Sequence, residues 1–163
     1  MNVHPLLPEF FRIAFGCMAC DGEIAPAEVS CLRSIAIQMG QPAKQVDADL
    51  LSVRKEFVAD AHGMVNRARD KLLLTGVSEQ DSALLLDLLI QLVEADEVIR
   101  PNETRYIRDL VNDFDLDREA LKALHPEWQS YLAEGIHVVR RREWPFADAS
   151  ASLLDINLNP CSE

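Results

Sequence analysis

Apolar residues recur along most of the chain every three or four positions, with polar residues between them, and this spacing predicts helices. The first segment, Leu6–Cys20, is apolar at almost every position, which is typical of a helix buried on most of its faces. Prolines and glycines separate the later segments and mark their ends. The later helices are predicted at Pro26–Gly40, Pro42–Leu50, Ser52–Leu74, Glu79–Ala95, Pro101–Phe114, Asp117–His125 and Glu127–Arg142. The sequence therefore predicts an all-α fold.

One helix–loop–helix segment occurs twice. Residues 18–41 and 93–116 align without a gap at a separation of 75 positions, and five aligned pairs are identical. Chance agreement would give about one or two identical pairs. The identical pairs are Asp21/Asp96, Ile24/Ile99, Pro26/Pro101, Glu28/Glu103 and Arg33/Arg108. We therefore expect two repeated units, at about residues 10–41 and 85–116, related by a pseudo-two-fold axis.

The connection inside each unit reads Asp-x-x-Ile-x-Pro-x-Glu, and we call these connections bend 1 (residues 21–28) and bend 2 (residues 96–103). In bend 1 we expect Ala25 at the N-cap, Pro26 at the first helical position and Glu28 at the third. Glu28 would then accept the N-cap N–H and favour the positive end of the helix. This first interpretation makes the repeated acidic residues purely structural.

A second interpretation makes the bends a metal site. If the two units pair about their axis, four carboxylates converge, those of Asp21, Glu28, Asp96 and Glu103. Neighbouring carboxylates raise one another's pKa unless a cation compensates, and hard cations prefer oxygen ligands. These four residues are therefore candidate ligands for Ca²⁺ or Mg²⁺, with Zn²⁺ less favoured. The sequence leaves both interpretations open.

Other chemistries have weaker patterns. Cys17-x-x-Cys20 could form a redox or zinc pair with Cys31 and His62, but no second Cys-x-x-Cys follows and the third cysteine lies on the next helix. We interpret Cys17 and Cys20 as buried structural thiols. The four histidines are scattered, and no glycine-rich phosphate loop occurs. The sequence therefore predicts no enzymatic activity, no catalytic residue and no organic cofactor.

The net charge of −11 argues against a nucleic-acid partner, because binding to phosphates needs clustered Lys and Arg. More than half of this imbalance lies in residues 78–103, where seven acidic residues face only Arg100, a net of −6. We expect no transmembrane segment, because the apolar runs are too short to span a bilayer. Met1–Pro8 does not have the pattern of a signal peptide. A cytoplasmic location is therefore expected.

The C-terminal region changes in composition. We expect the domain to cover residues 1–143 and a flexible tail to cover residues 144–163, which are rich in Ser, Ala and Asn. The run Arg140–Arg142 suits the last turn of a helix, where cations interact favourably with the dipole. With Trp144 and Phe146 nearby, contact with an acidic partner or an anionic lipid surface is the alternative.

The segment Ala19–Glu28, Ala-Cys-Asp-Gly-Glu-Ile-Ala-Pro-Ala-Glu, and its counterpart Ala95–Glu103 resemble the paired motifs A-D-G-x-I-x-P-x-E of the tellurite-resistance TerB family. The resemblance covers about Leu7–Leu116. It implies a bundle of about seven helices, which is also seen in DnaJ-like co-chaperones. This sequence departs from the motif at Cys20, which precedes the first Asp, and at Glu97, which replaces the glycine of bend 2.

The same resemblance implies a function. It suggests a non-enzymatic interaction module in bacterial stress response and tellurite resistance, with protein partners in a membrane-associated complex. By motif position, Asp21, Glu28, Asp96 and Glu103 would be the functional residues. The alternative is a metal-dependent hydrolase or a zinc or redox protein on the same fold. The oligomeric state is left open, a homodimer included.

Overall fold

Helices make up the regular secondary structure of the described residues, and no strand occurs among them. The structure is a computed structural model and describes residues 6–20, 22, 24–95, 101–113, 117–132 and 146. Its elements in chain order are α1 (Leu7–Ala19), α2 (Pro26–Gln38), α3 (Ala43–Thr75), α4 (Glu79–Glu94), α5 (Pro101–Asp113), α6 (Arg118–Leu124), a 3-10 turn (Pro126–Trp128) and α7 (Gln129–Leu132). The predicted all-α fold is confirmed.

The first helix, α1, lies at the centre of the bundle. It packs against α2, α3, α4 and α5, and eleven of its thirteen residues are buried. Phe10, Ile13 and Phe15 are entirely inaccessible to solvent. Burial of each such side chain stabilises the fold by about 1.5–3 kcal/mol. The expectation of a helix buried on most of its faces is confirmed.

Gly16 permits a close crossing of α1 by α5. A Cβ atom at this position would meet the Tyr106 hydroxyl and would lie 2.8 Å from Cγ2 of Val65. The Tyr106 hydroxyl itself donates a hydrogen bond of 2.7 Å to the backbone oxygen of Ile13. The absence of a side chain at residue 16 therefore makes room for the tyrosine that joins α5 to α1.

The long helix α3 differs from the prediction. The sequence predicts two helices, Pro42–Leu50 and Ser52–Leu74, with a break at residue 51. The chain instead stays helical at residue 51 and departs from helical geometry at Asp60 (φ −162°, ψ 79°). The Asp60 carboxylate accepts a hydrogen bond of 3.1 Å from the N–H of Gly63. It thereby caps the helix that restarts, as aspartate commonly does at a helix start. The predicted break was wrong, and the kink divides α3 into a first arm (residues 43–59) and a second arm (residues 61–75).

An ion pair between a buried arginine and a mostly buried aspartate joins the second arm of α3 to α5. Nη1 of Arg69 lies 2.8 Å from Oδ2 of Asp109, and the two side chains are 1% and 12% exposed. Removing one partner of such a pair typically costs about 3–5 kcal/mol, because the other charge stays buried. The pair therefore links α5 to the second arm of α3 through their side chains.

Two helix starts have the caps that the sequence predicts. Oγ of Ser78 accepts the N–H of Asp81 at 3.0 Å before α4. Oδ1 of Asp117 accepts the N–H of Ala120 at 3.0 Å before α6. Each cap satisfies one backbone donor that the helix itself leaves unpaired.

The end of the domain is only partly described. The single helix expected at Glu127–Arg142 begins instead with the 3-10 turn and continues as α7, and residues 133–145 lie outside the described residues. Phe146 is buried and packs against two residues of α3, with ring centroids 5.6 Å from Phe57 and 4.7 Å from His62. The other residues of the expected tail, 144–145 and 147–163, lie outside the described residues, so the boundary near residue 143 stays a prediction.

Two buried tyrosines provide a matched test of the core. Tyr106 has a bonded hydroxyl, whereas the hydroxyl of Tyr131 has no hydrogen-bond partner among the described residues. We expect Tyr106→Phe to lower the free energy of unfolding by about 1 kcal/mol, and Tyr131→Phe to leave it unchanged or raise it by up to about 1 kcal/mol. Urea unfolding followed by circular dichroism measures both. An equal loss in the two variants would contradict this difference.

Candidate functional site

The start of α2 has the local structure that the sequence predicts for bend 1. Ala25 is the N-cap, Pro26 follows it, and Glu28 is the third helical residue. Oε1 of Glu28 accepts a hydrogen bond of 3.0 Å from the N–H of Ala25. Glu28 is only 1% exposed, so its carboxylate is held inside the protein at the positive end of α2. The capping role predicted for this residue is confirmed.

The start of α5 repeats this placement. Glu103 is the third residue of the helix after Pro101 and is completely buried. Beside it, Nδ2 of Asn102 donates a hydrogen bond of 2.8 Å to the backbone oxygen of Cys20, which caps the end of α1. The end of bend 2 therefore lies next to the beginning of bend 1. The complete pseudo-two-fold relation of the units stays a prediction.

The two aspartates of the candidate metal site are not described. Asp21 and Asp96 lie outside the described residues, as does most of bend 2. Among the residues that are described, no three His, Cys, Asp or Glu side chains are arranged to hold a metal ion. The four-carboxylate site therefore stays a prediction, of which Glu28 and Glu103 have described positions.

Tyr131 of α7 adds a polar group near the second unit. Burial raises the pKa of its hydroxyl to about 12, and the carboxylates of Glu94 and Glu103 and the thiol of Cys17 act in the same direction. Burial also raises the pKa of the Tyr106 hydroxyl, where the Arg69 guanidinium acts in the opposite direction. Both tyrosines are therefore neutral near pH 7, and they place hydroxyl groups rather than additional charges inside the core.

The cysteines do not form a described metal or redox centre. Cys17 and Cys20 are both completely buried, and Sγ of Cys20 donates to the backbone oxygen of Cys17 at 2.9 Å. Cys31 is partly buried, and burial raises the pKa of its thiol, with a further contribution from Glu28. His62 packs on Phe146. These positions agree with the interpretation of Cys17 and Cys20 as buried thiols.

The repeated arginines have a role that the sequence analysis did not assign. Nε of Arg33 in α2 binds Oδ1 of Asp47 in α3 at 2.8 Å. Nε of Arg108 in α5 donates to the backbone oxygen of Ser130 in α7 at 2.7 Å. Each arginine thus ties the second helix of its unit to a later helix. The sequence signal for this role was that both units have an arginine at the same repeat position.

Arg69 was also missed, although its position offered a signal. It falls in the apolar stripe of the second arm of α3, together with Val65, Ala68 and Leu72 at helical spacing. A charged residue in such a stripe needs a buried partner. The sequence does not show that this partner is Asp109, forty positions away.

Two features characterise this domain. Two helix starts each have a proline and a buried glutamate, and the described helices form an all-α bundle around α1. The family model described as "Tellurite resistance protein TerB" matches residues 13–125. The chain therefore belongs to the TerB family. No curated protein and no solved structure matches it significantly. No helix within the described residues is long and apolar enough to cross a membrane.

Thiol labelling tests the accessibility of the cysteines. In a Cys161→Ser variant we expect Cys31 alone to react in the native protein, and slowly near pH 7, because a raised pKa lowers the thiolate fraction. The rate should increase as the pH rises toward the pKa of this thiol. Cys17 and Cys20 should react only after denaturation. Ellman's reagent measures the labelling rates of the native and the denatured protein. Rapid labelling of a native Cys31→Ser/Cys161→Ser variant would contradict the burial of Cys17 and Cys20.

Proposed function

We propose that this TerB-family chain is a non-enzymatic interaction module of the bacterial stress response that acts in tellurite resistance. Membership of the family supports the proposal, because the matched residues include both bends. In this proposal the chain works in the cytoplasm, and its partners are proteins of a membrane-associated resistance complex. The net charge of −11 favours cations or basic surfaces as ligands over nucleic acids.

We further propose that the two bends together bind one divalent cation, Ca²⁺ or Mg²⁺, through Asp21, Glu28, Asp96 and Glu103. The observation that supports this step is the hydrogen bond of 2.8 Å between Asn102 and the Cys20 backbone, because it places the end of bend 2 next to the beginning of bend 1. Carboxylate oxygens are suitable ligands for these hard cations.

The two glutamates would have a different share in this site from the two aspartates. Oε1 of Glu28 also accepts the Ala25 N–H, so this residue would cap α2 and contribute to the site at the same time. The burial of Glu28 and Glu103 fixes their positions before any ligand arrives. A cation would neutralise the aspartates and link the two bends, and a protein partner could then recognise the bound form.

Growth under tellurite tests the role in resistance. We expect a strain that lacks this chain to be more sensitive to tellurite, and the unaltered chain to restore tolerance. The double variant Asp21→Asn/Asp96→Asn should fail to restore it, because two proposed ligands lose their charge. The control Asp87→Asn/Glu119→Gln removes the same number of charges outside the bends and should restore growth. Equal tolerance with and without the unaltered chain would refute the proposed role.

Cation binding is tested separately by calorimetry and thermal melting of the purified, chelator-treated chain. We expect millimolar or tighter binding of Ca²⁺ or Mg²⁺ and a rise in melting temperature of a few degrees, about 2.7 kcal/mol of stabilisation at a concentration a hundredfold above Kd. Asp21→Asn/Asp96→Asn should abolish both signals, and Asp87→Asn/Glu119→Gln should retain them. Absence of heat and of a melting shift in the unaltered chain would exclude the cation, whereas the growth comparison with and without the unaltered chain would still test the role in resistance.

A further inference from the structure

A surface distinct from the bends lies on the outside of the first arm of α3, and we call it the arm face. Its residues follow one another at spacings of four and three positions, so they lie on one side of the helix. They are Lys44, Ala48, Leu51, Lys55 and Val58, and all five are exposed. The two large apolar side chains, Leu51 and Val58, are 39% and 49% exposed. The arm face therefore combines apolar and basic groups on a chain whose net charge is −11.

The lysines of the arm face are not neutralised by the arm itself. Among the described residues, no ion pair or side-chain hydrogen bond involves Lys44 or Lys55. The structure describes the whole first arm, and none of its exposed residues is acidic. Its three carboxylates are partly buried and already bonded, Asp47 to Arg33, Asp49 to Gln41 and Gln45, and Glu56 to Arg12. The two lysines are therefore available to an acidic group from outside the chain.

A second exposed surface lies where α3 ends and α4 begins, and we call it the corner (residues 73–81). Gly76 ends α3 in the left-handed conformation (φ 75°, ψ 64°), as glycine commonly does at the end of a helix. The last two leucines of α3 stay outside the core. Leu73 is 41% exposed, and Leu74, at 88%, is the most exposed large apolar side chain among the described residues.

The corner is acidic as well as apolar. It contains Glu79 and Asp81 and no lysine or arginine. Glu79 is exposed, and no cation within the described part of the chain is paired with it. The nearest cation before the corner in sequence, Lys71, is paired with Glu9 at 2.7 Å. The corner therefore offers apolar and negative groups, whereas the arm face offers apolar and positive groups.

We propose that the arm face of one copy of this chain binds the corner of a second copy. Both surfaces are exposed in the single chain, so they are not satisfied within one copy, and each has the charge that the other lacks. Leu73 and Leu74 cover the apolar residues of the arm face, and Glu79 pairs with its lysines. Burial of the leucines supplies most of the affinity, because exposed ion pairs contribute little, and the charges determine which surfaces meet.

The contact between copies is weak. It involves few residues, and two chains that each have a net charge of −11 repel each other at long range. At physiological ionic strength the Debye length is about 8 Å, so this long-range repulsion is largely screened, whereas the charges at the contact lie close together. We therefore expect a Kd of about 1 mM and a monomer in dilute solution.

Translational diffusion of the full chain, measured by nuclear magnetic resonance from micromolar to millimolar concentration, tests the apolar part of the contact. Leu74→Gln should weaken self-association about tenfold, which corresponds to about 1.4 kcal/mol. Leu124→Gln is the matched control, because Leu124 is 74% exposed and lies outside both surfaces, and it should change the affinity less than about twofold. Equal weakening in the two variants, or no association of the unaltered chain at millimolar concentration, overturns the proposal.

Charge-reversed variants test which surfaces meet. Lys44→Glu/Lys55→Glu should weaken self-association about tenfold, and Arg105→Glu/Lys122→Glu, which makes the same change in net charge on α5 and α6, should weaken it less than about threefold. Equal weakening by both pairs would show general repulsion and overturn the proposal.

A mixing experiment tests the pairing directly. Lys44→Glu/Lys55→Glu keeps its corner, and Leu74→Gln/Glu79→Gln keeps its arm face, so each should associate with the other more strongly than with itself. Circular dichroism checks that every variant is folded, which we expect because all substituted residues are at least partly exposed. A mixture that associates no more than its separate components overturns the proposal. None of these substitutions lies in the bends, so failure here leaves the proposed cation site untouched.

Discussion

The burial of α1 on nearly every face is the constraint on which the other helices depend. A helix without a solvent-exposed face cannot satisfy its apolar residues by packing on one neighbour, so several helices must surround it. The contacts around it are correspondingly specific. Tyr106 reaches the backbone of Ile13 through the space at Gly16, and Asn102 reaches the backbone of Cys20. The second unit is thus attached to α1 by polar contacts as well as by apolar packing.

The repeated residues divide into structural and candidate functional groups. Glu28 and Glu103 occupy the same position in their helices and are both buried, and Arg33 and Arg108 both anchor their helices to later parts of the chain. These four residues position the two bends. In the proposed cation site, Glu28 and Glu103 would serve both the architecture and the binding, whereas Asp21 and Asp96 would serve the binding alone.

The helices and the residues at their starts could be predicted because they follow from local rules. Apolar spacing identifies the buried faces, and proline, serine and aspartate mark the starts of helices at positions such as Pro26 and Ser78. The kink at Asp60 was missed because aspartate within a helical pattern gives no certain sign of whether its side chain will cap a new helix. The pair Arg69–Asp109 depends on residues distant in sequence, which a single sequence without relatives does not bring together. The placement of Glu28 could be predicted for the same local reason as that of Pro26, whereas convergence of the four carboxylates is a tertiary property.

The kink in α3 has a consequence for the dimensions of the molecule. A straight helix of its 33 residues would be a rod about 50 Å long, whereas a domain of 163 residues has a radius of gyration of about 15 Å. Such a rod would project beyond its neighbours and expose part of its apolar stripe to water. Interrupting it at Asp60 lets both halves reach α1, the first through Glu56 and Arg12 and the second through Lys71 and Glu9. Both arms of α3 thereby reach the central helix, and a single non-helical residue does the work of a connecting loop.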